Sequence, residues 1–172
     1  MKTIFFSLAV LLLSACAGVD VSEYQAGRPT LDLATYFNGT VDGWGMVRDR
    51  AGRVTRRFVV VIDAHWHDGE GVLDEHFVWS DGKHESRIWK IHKDGDRYTG
   101  TAGDVVGLAS GAASGNALHW RYVLDLPVDA RTYHVDMDDW MYLIDAQTLG
   151  NQTRISKFGF HLADTLIFFR KR

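Results

Sequence analysis

The sequence predicts an all-β fold, a single antiparallel up-and-down β-barrel of about eight strands, and three observations lead there. From Asn38 onward, runs of β-branched and aromatic residues are cut by turn pairs: Ala51-Gly52, Asp68-Gly69, Asp81-Gly82, Asp94-Gly95 and Gly115-Asn116. Pairs of this kind between apolar runs are hairpin signals. Turns at this spacing, with only two prolines in the chain, argue for antiparallel hairpins over parallel βαβ units. A sheet of this size without covering helices removes its edges most simply by closing on itself. A β-sandwich is the alternative.

At the N-terminus, residues 1–15 read as a signal peptide. Lys2 gives a short positive start, and residues 4–13 form an apolar run of about half the roughly twenty residues that a membrane-spanning helix needs. Leu13-Ser14-Ala15-Cys16 resembles a bacterial lipobox, where cleavage leaves the cysteine first and its thiol and amino group become acylated. Cys16 is the expected lipidation site. Ala17, standing where an aspartate is absent, points to the outer membrane, with the domain on its periplasmic face and the acyl chains as the anchor. Cys16 is the sole cysteine, so acylation removes both a disulfide framework and thiol catalysis from consideration. Residues 16–30 are polar and aperiodic and are expected to form a flexible tether, which leaves residues 31–172 as one barrel domain with room for a real core. The chain has 19 Lys and Arg against 22 Asp and Glu, a net charge of −3, which does not suggest a nucleic-acid partner.

Residues 31–37 are expected as a short helical turn. Strands are expected near 41–50, 54–67, 72–80, 84–93, 96–107, 117–127, 132–144 and 153–170, the last broken near Ala163. Small residues at 107–115 suggest a flexible rim loop or a bulged edge strand.

The stretch Asp63-Ala-His-Trp-His-Asp-Gly-Glu-Gly-Val-Leu-Asp-Glu-His76 is dense in histidine and carboxylate. With residues 68–71 as a four-residue loop, His67 faces Val72, His65 faces Asp74 and Asp63 faces His76 on one side of the hairpin. Trp66 with Leu73, Ala64 with Glu75, Ile62 with Phe77 and Val60 with Trp79 occupy the other, because side chains alternate along strands. The polar side points away from the core. His65, His67 and Asp74 are candidate zinc or copper ligands, but nothing fixes third and fourth ligands, so a solvated surface is the expected reading, with no metal and no cofactor.

The apolar face carries an anomaly, Glu75 among Leu73, Phe77 and Trp79, and a carboxylate there needs a partner. If residues 80–82 form a three-residue loop with Gly82 left-handed, Trp79 pairs with Lys83, Glu75 faces Arg87 and Leu73 faces Trp89. A two-residue Asp81-Gly82 turn brings Ser86 and Ile88 inward instead. Glu75 and Arg87 are then either a buried ion pair or a polar anchor for a carboxylate or phosphate head group. Leu118, Trp120, Tyr122, Leu124 and Leu126 form another inward stripe. Asp139 shares a face with Val135, Met137, Met141 and Leu143, where Lys157 or Arg154 would neutralise it; with Trp140, Tyr142 and Ile144 inward, Asp139 lies outside.

The runs Tyr36-Phe-Asn-Gly39, Gly43-Trp-Gly45, Arg87-Ile-Trp89, Gly103-Asp-Val-Val-Gly107, Asp139-Trp-Met-Tyr-Leu143 and Lys157-Phe-Gly159 together resemble an uncharacterised bacterial lipoprotein family, domain of unknown function 3833. The resemblance covers the chain from about Tyr36 to the C-terminus. It implies an envelope lipoprotein with a lipocalin-like barrel and carries over no activity or catalytic residue. The resemblance also implies gene neighbourhoods that hold enzymes modifying fatty acyl chains, an association that turns the ligand expectation toward lipids.

Enzymatic readings fare less well. Ser110 and Ser114 lack the Gly-x-Ser-x-Gly elbow, and no phosphate loop or dinucleotide fingerprint occurs. Adjacent acids in strands point to opposite faces, leaving a cross-barrel pair, Glu75 with Asp139, as the remaining candidate for hydrolase or isomerase chemistry. The expectation is therefore a barrel that binds a fatty acid or lipid. Trp66, Phe77, Trp79, Trp89, Trp120 and Tyr122 would form its wall, with Glu75, Arg87 and Asp139 as polar groups. The rival is a structural or protein-interaction envelope lipoprotein with a filled core.

Overall fold

The strands β1 (Gly39–Asp49), β2 (Val54–His67), β3 (Glu70–Trp79), β4 (His84–Asp94), β5 (Arg97–Thr101), β6 (Val105–Ser114), β7 (Ala117–Val128), β8 (Arg131–Leu143), β9 (Thr148–Lys157) and β10 (Phe160–Lys171) close into one antiparallel barrel. The structure is a computed structural model and describes residues 18–172; the signal peptide and the acylation expected at Cys16 lie outside the described residues. Every strand pairs with its sequence neighbours, and β1 meets β10 to complete the ring. Arg172 reinforces that seam, donating to Thr40 O through its backbone at 3.1 Å and to both Asp42 carboxylate oxygens at 2.6 and 2.9 Å.

The barrel has ten strands where about eight were expected, because two long segments divide. Segment 96–107 breaks at residues 102–104 into β5 and β6. The last segment turns at Phe158-Gly159, not near Ala163, with both residues at positive φ (51° and 79°) as a two-residue hairpin turn requires. Near Ala163 the strand only bulges, its register shifting between His161 and Ala163. Residues 107–115 form neither a rim loop nor an edge: they belong mostly to β6, inside the closed sheet, and its register shifts between Val106 and Ser110.

The β2–β3 hairpin turns on two residues, Asp68 (φ 49°) and Gly69 (φ 80°), not on four. His67 pairs with Glu70, His65 with Val72 and Ile62 with Glu75, two positions from the expected register. Because the side-chain period is two, that shift leaves every residue on its expected face. At the β3–β4 turn the three-residue loop forms as expected: Gly82 is left-handed (φ 82°), Trp79 N donates to Lys83 O at 2.9 Å, and Glu75 faces Arg87.

A short helix, α1 (Leu33–Tyr36), plugs one end. Asp32 caps it by accepting from Ala34 N at 3.0 Å, and Leu31, Leu33, Tyr36 and Phe37 are all buried. Its ties to the barrel come from five strands or their ends: Tyr98 Oη donates to Asp32 at 3.0 Å, Lys93 Nζ at 2.9 Å, Tyr36 Oη to Gln147 O at 2.9 Å, Trp66 Nε1 to Phe37 O at 3.0 Å, and Lys171 Nζ to Thr35 O. The Trp66 ring lies over Gly71, where a Cβ would stand only 2.5 Å from it; glycine there is what lets the indole reach Phe37.

The segment expected as a tether is, in its described part, docked on the outer wall. Val21–Tyr24 is a 3-10 turn with a capping box between Asp20 and Glu23. Tyr24 packs on Trp140 and Tyr142 (ring centres 5.8 and 5.4 Å away) and Leu31 N donates to Gly115 O at 2.8 Å. No helix among the described residues is long and apolar enough to cross a membrane.

Candidate functional site

Alternation along the strands turns Phe58, Val60 and Ile62 of β2, Leu73, Glu75, Phe77 and Trp79 of β3, and Arg87, Trp89 and Ile91 of β4 into the barrel. From the opposite side come Leu118, Trp120, Tyr122 and Leu124 of β7, Met137, Asp139 and Met141 of β8, and Asn151 and Thr153 of β9. Apart from Tyr98, which reaches the plug, the intervening strands β5 and β6 bring small residues to this face, Gly100, Ala109, Gly111 and Ala113, and the indoles of Trp89 and Trp120 meet edge to face, 5.8 Å apart. Side chains do not fill the interior. A cavity of about 540 Å³ remains, floored by Leu33 and Phe37 and open at the other end among Arg56, Trp79, Glu85, Leu126 and Leu162.

A polar cluster interrupts this apolar lining. The Arg87 guanidinium is forked onto Asp104, Nε lying 3.0 Å from each carboxylate oxygen and Nη2 2.6 Å from Oδ2. Glu75, its cross-strand neighbour, is further away, with 3.8 Å from Oε2 to Nη1, and Oε2 is buried without a hydrogen bond. Burial pushes the Glu75 carboxyl up to about 7, Arg87 opposing and Asp104 and Asp139 adding to the rise. Asp139, 6% exposed, accepts from Asn151 Nδ2 and from Thr153 Oγ1 at 3.1 Å, both on Oδ1. Its Oδ2 has no partner among the described residues. Burial also lifts Asp139 to about 7 against those two hydrogen bonds. Tyr122 lies within the fields of Asp139, Arg87, Glu75 and Asp104, and burial followed by the negative Asp139 raises its phenol. Arg87 stays charged: its carboxylate neighbours raise it further despite burial.

Of the residues expected from sequence, Glu75, Phe77, Trp79, Arg87, Trp89, Trp120, Tyr122 and Asp139 line this one cavity. Trp66 does not; the two-residue turn and Gly71 place it beside the plug, where its indole N–H is spent on Phe37. Neither Lys157 nor Arg154 neutralises Asp139 as expected, because Arg154 is exposed on the opposite phase of β9 and Lys157 Nζ donates to His134 O at 2.8 Å; the uncharged Asn151 and Thr153 supply hydrogen bonds instead. The outer hairpin face does not assemble His65, His67 and Asp74. The observed register sets His65 opposite Val72, His67 sits 3.1 Å from Asp68, and Asp74 sits 3.3 Å from His76. Among the described residues no group of three His, Cys, Asp or Glu side chains is placed to hold a metal ion.

Asp104, Asn151 and Thr153 escaped the sequence reading. For Asn151 and Thr153 a signal existed, since both share the phase of Leu149 and Ile155. Asp104 sits in a loop after Gly103, where no alternation assigns a direction.

A family model described as "Protein of unknown function (DUF3833)" matches residues 10–171. A search of curated proteins finds no match. Among solved structures, the chain is similar to an S-type phycobiliprotein lyase from Guillardia theta, with a TM-score of 0.60 and 8% identity over 90% of this chain and 98% of the other. It is also similar to a protein of unknown function from the DUF3598 family of Nostoc punctiforme, with a TM-score of 0.59 and 16% identity over 91% of this chain; the match spans 53% of that protein. A de novo designed fluorescence-activating β-barrel matches at a TM-score of 0.44 and 12% identity, over 82% and 99% of the two chains. At these identities the first two likenesses establish a shared lipocalin-like barrel fold and no more.

Proposed function

The chain belongs to the DUF3833 family, whose description assigns no activity, and from the interior of its barrel we propose that it binds a hydrophobic ligand, a fatty acid or another lipid, with the acyl part inside the barrel. The observation that carries this reading is the cavity of about 540 Å³, apolar along most of its wall and open at one end. That volume lies within the roughly 300–1,000 Å³ of small-molecule sites, which pair an apolar lining with a few placed polar groups. A structural barrel would be expected to pack its core to the density of an organic crystal, so the open interior favours a ligand over the filled-core reading.

Anchoring belongs to the same proposal. Cys16, acylated at the lipobox, would hold the domain at the periplasmic face of the outer membrane, where lipids are at hand. The protein would then act as a carrier, sensor or store of a membrane-derived molecule, and no residue is assigned a catalytic role.

Native mass spectrometry of the exported protein, with lipid extraction of the same sample, tests this directly. A defined lipid species at near-unit occupancy is the expected result, lost when Leu124→Trp fills the lumen. Ligand-free protein that also refuses added acyl chains would return the reading to a structural or partner-binding barrel.

A further inference from the structure

The cavity contains more carboxylates than cations, and their partners are unevenly shared. Glu75, Asp104 and Asp139 line it, Arg87 is the cation set among them, and the short bonds of Arg87 go to Asp104. Arg56, at the mouth, is turned to Asp81 at 3.2 Å and lies over the Trp79 ring at 3.7 Å. On opposite walls, Glu75 is therefore left with only the looser 3.8 Å contact to Arg87, and Asp139 has no counter-cation among the described residues. Among the described residues, Glu75 Oε2 is buried with no donor, and Asp139 carries both its hydrogen bonds on Oδ1.

Each feature bears on the head group. A carboxylate or phosphate brought here would become one more anion in a low-dielectric chamber whose guanidinium is already forked onto Asp104. An ammonium group would supply what the wall lacks: several N–H donors and a positive charge between Glu75 and Asp139. The rings of Trp89, Trp120 and Tyr122, packed around the same level of the barrel, offer faces that favour a cation and disfavour an anion.

Resting on the proposal that the cavity takes a hydrophobic ligand, we infer that its ligand is a lipophilic amine, with the ammonium group held by Glu75 and Asp139 and the hydrocarbon part extending along the Phe77 and Trp79 side toward the mouth. This sets the polarity of the site opposite to that of a fatty-acid binder. Arg87 then stays engaged with Asp104, beside Glu75.

The test uses three probes of one chain length, decylamine, decanol and decanoate, titrated calorimetrically at pH 8 below their micelle concentrations. The protein is the full chain exported with Cys16→Ser, so that no acyl anchor or detergent competes. The expected order is decylamine, then decanol, then decanoate, with at least about a tenfold step between the first two, the affinity ratio of roughly one charge-assisted contact. In the Glu75→Gln, Asp139→Asn double variant the amine advantage disappears while decanol binds as before, which also shows that the variant is folded; either single variant serves if the double one does not fold. Decanol or decanoate binding as tightly as decylamine to the unmodified site would overturn the inference while leaving hydrophobic binding intact. Failure of all three probes to bind would overturn the cavity reading itself, and the inference with it.

Discussion

Glu75 and Arg87 face each other across β3 and β4, yet the shortest bond of the guanidinium, 2.6 Å, goes to Asp104, and Glu75 stands off at 3.8 Å. A cross-strand pair of opposite charge would ordinarily satisfy itself. Here a third group from the β5–β6 loop takes the better geometry, because a bidentate fork onto one carboxylate is stronger than two single contacts at an angle. The displaced carboxyl is the one that rises to about 7.

Replacing Arg87 by Met leaves Glu75 and Asp104 without a cation. At pH 8 the variant is expected to lose about 3–5 kcal/mol of stability, the usual cost of breaking a buried pair from one side. At pH 5 the loss should shrink, since Glu75 can take up a proton. Urea denaturation at the two pH values reads this, and an equal loss at both would assign the effect to packing alone.

Glu75 and Asp139 also set a slope of stability against pH. Their folded values, about 7 for each, lie above ordinary values of 4.5 and 3.8. Between those limits the folded chain keeps protons that the unfolded chain releases, so stability falls as pH rises through the window and levels off above about 7. Asp32, lowered in spite of its burial by bonds from Lys93, Tyr98 and Ala34, acts in the opposite sense and only near or below its usual value. Asp139→Asn should flatten the slope between pH 5 and 8 and exceed the wild type at pH 8, by on the order of a few kcal/mol at most. A variant weaker than wild type at both pH values would show that the ionised carboxylate is well satisfied where it is.

Trp66 separates the plug from the cavity. Trp66→Phe removes the bond to Phe37 O and should cost about 1 kcal/mol, with faster amide exchange at Leu33–Tyr36 and no change in affinity for a ligand. Loss of affinity without faster exchange would place the indole in the binding wall after all.

How much of this was legible depended on whether alternation alone could decide. The inward phase of Glu75 and Trp120 follows from period two, and that of Glu75 survived the misjudged Asp68-Gly69 turn because that error moved the register by two residues; for Asp139 alternation left both faces open, since apolar residues occupy either phase of β8. Phe158 hid a turn, since an aromatic residue at φ 51° carries no turn signal. Asp104 and the docking of Tyr24 on Trp140 were out of reach for another reason: both depend on where a loop folds back over the barrel, which no local pattern records.

At the N-terminus, Cys16→Ala should abolish incorporation of a labelled fatty acid and move the protein from the membrane to the soluble periplasmic fraction. Continued membrane association with no label would indicate a different attachment.

The seam between β1 and β10 joins residues about as far apart as the barrel allows, from Val41 against Lys171 to Asp49 against Ala163, with Arg172 fastened to Asp42. Hairpins can form one by one as a chain emerges, but this last joint waits for β10. Until then the growing sheet has two bare margins, each able to pair with another chain. A copy halted before Phe160 keeps both of them, and an extension fused after Arg172 sits where the ring must shut. The order of synthesis therefore leaves closure to β10, and fusions or truncations there should be judged by whether they let the two margins meet.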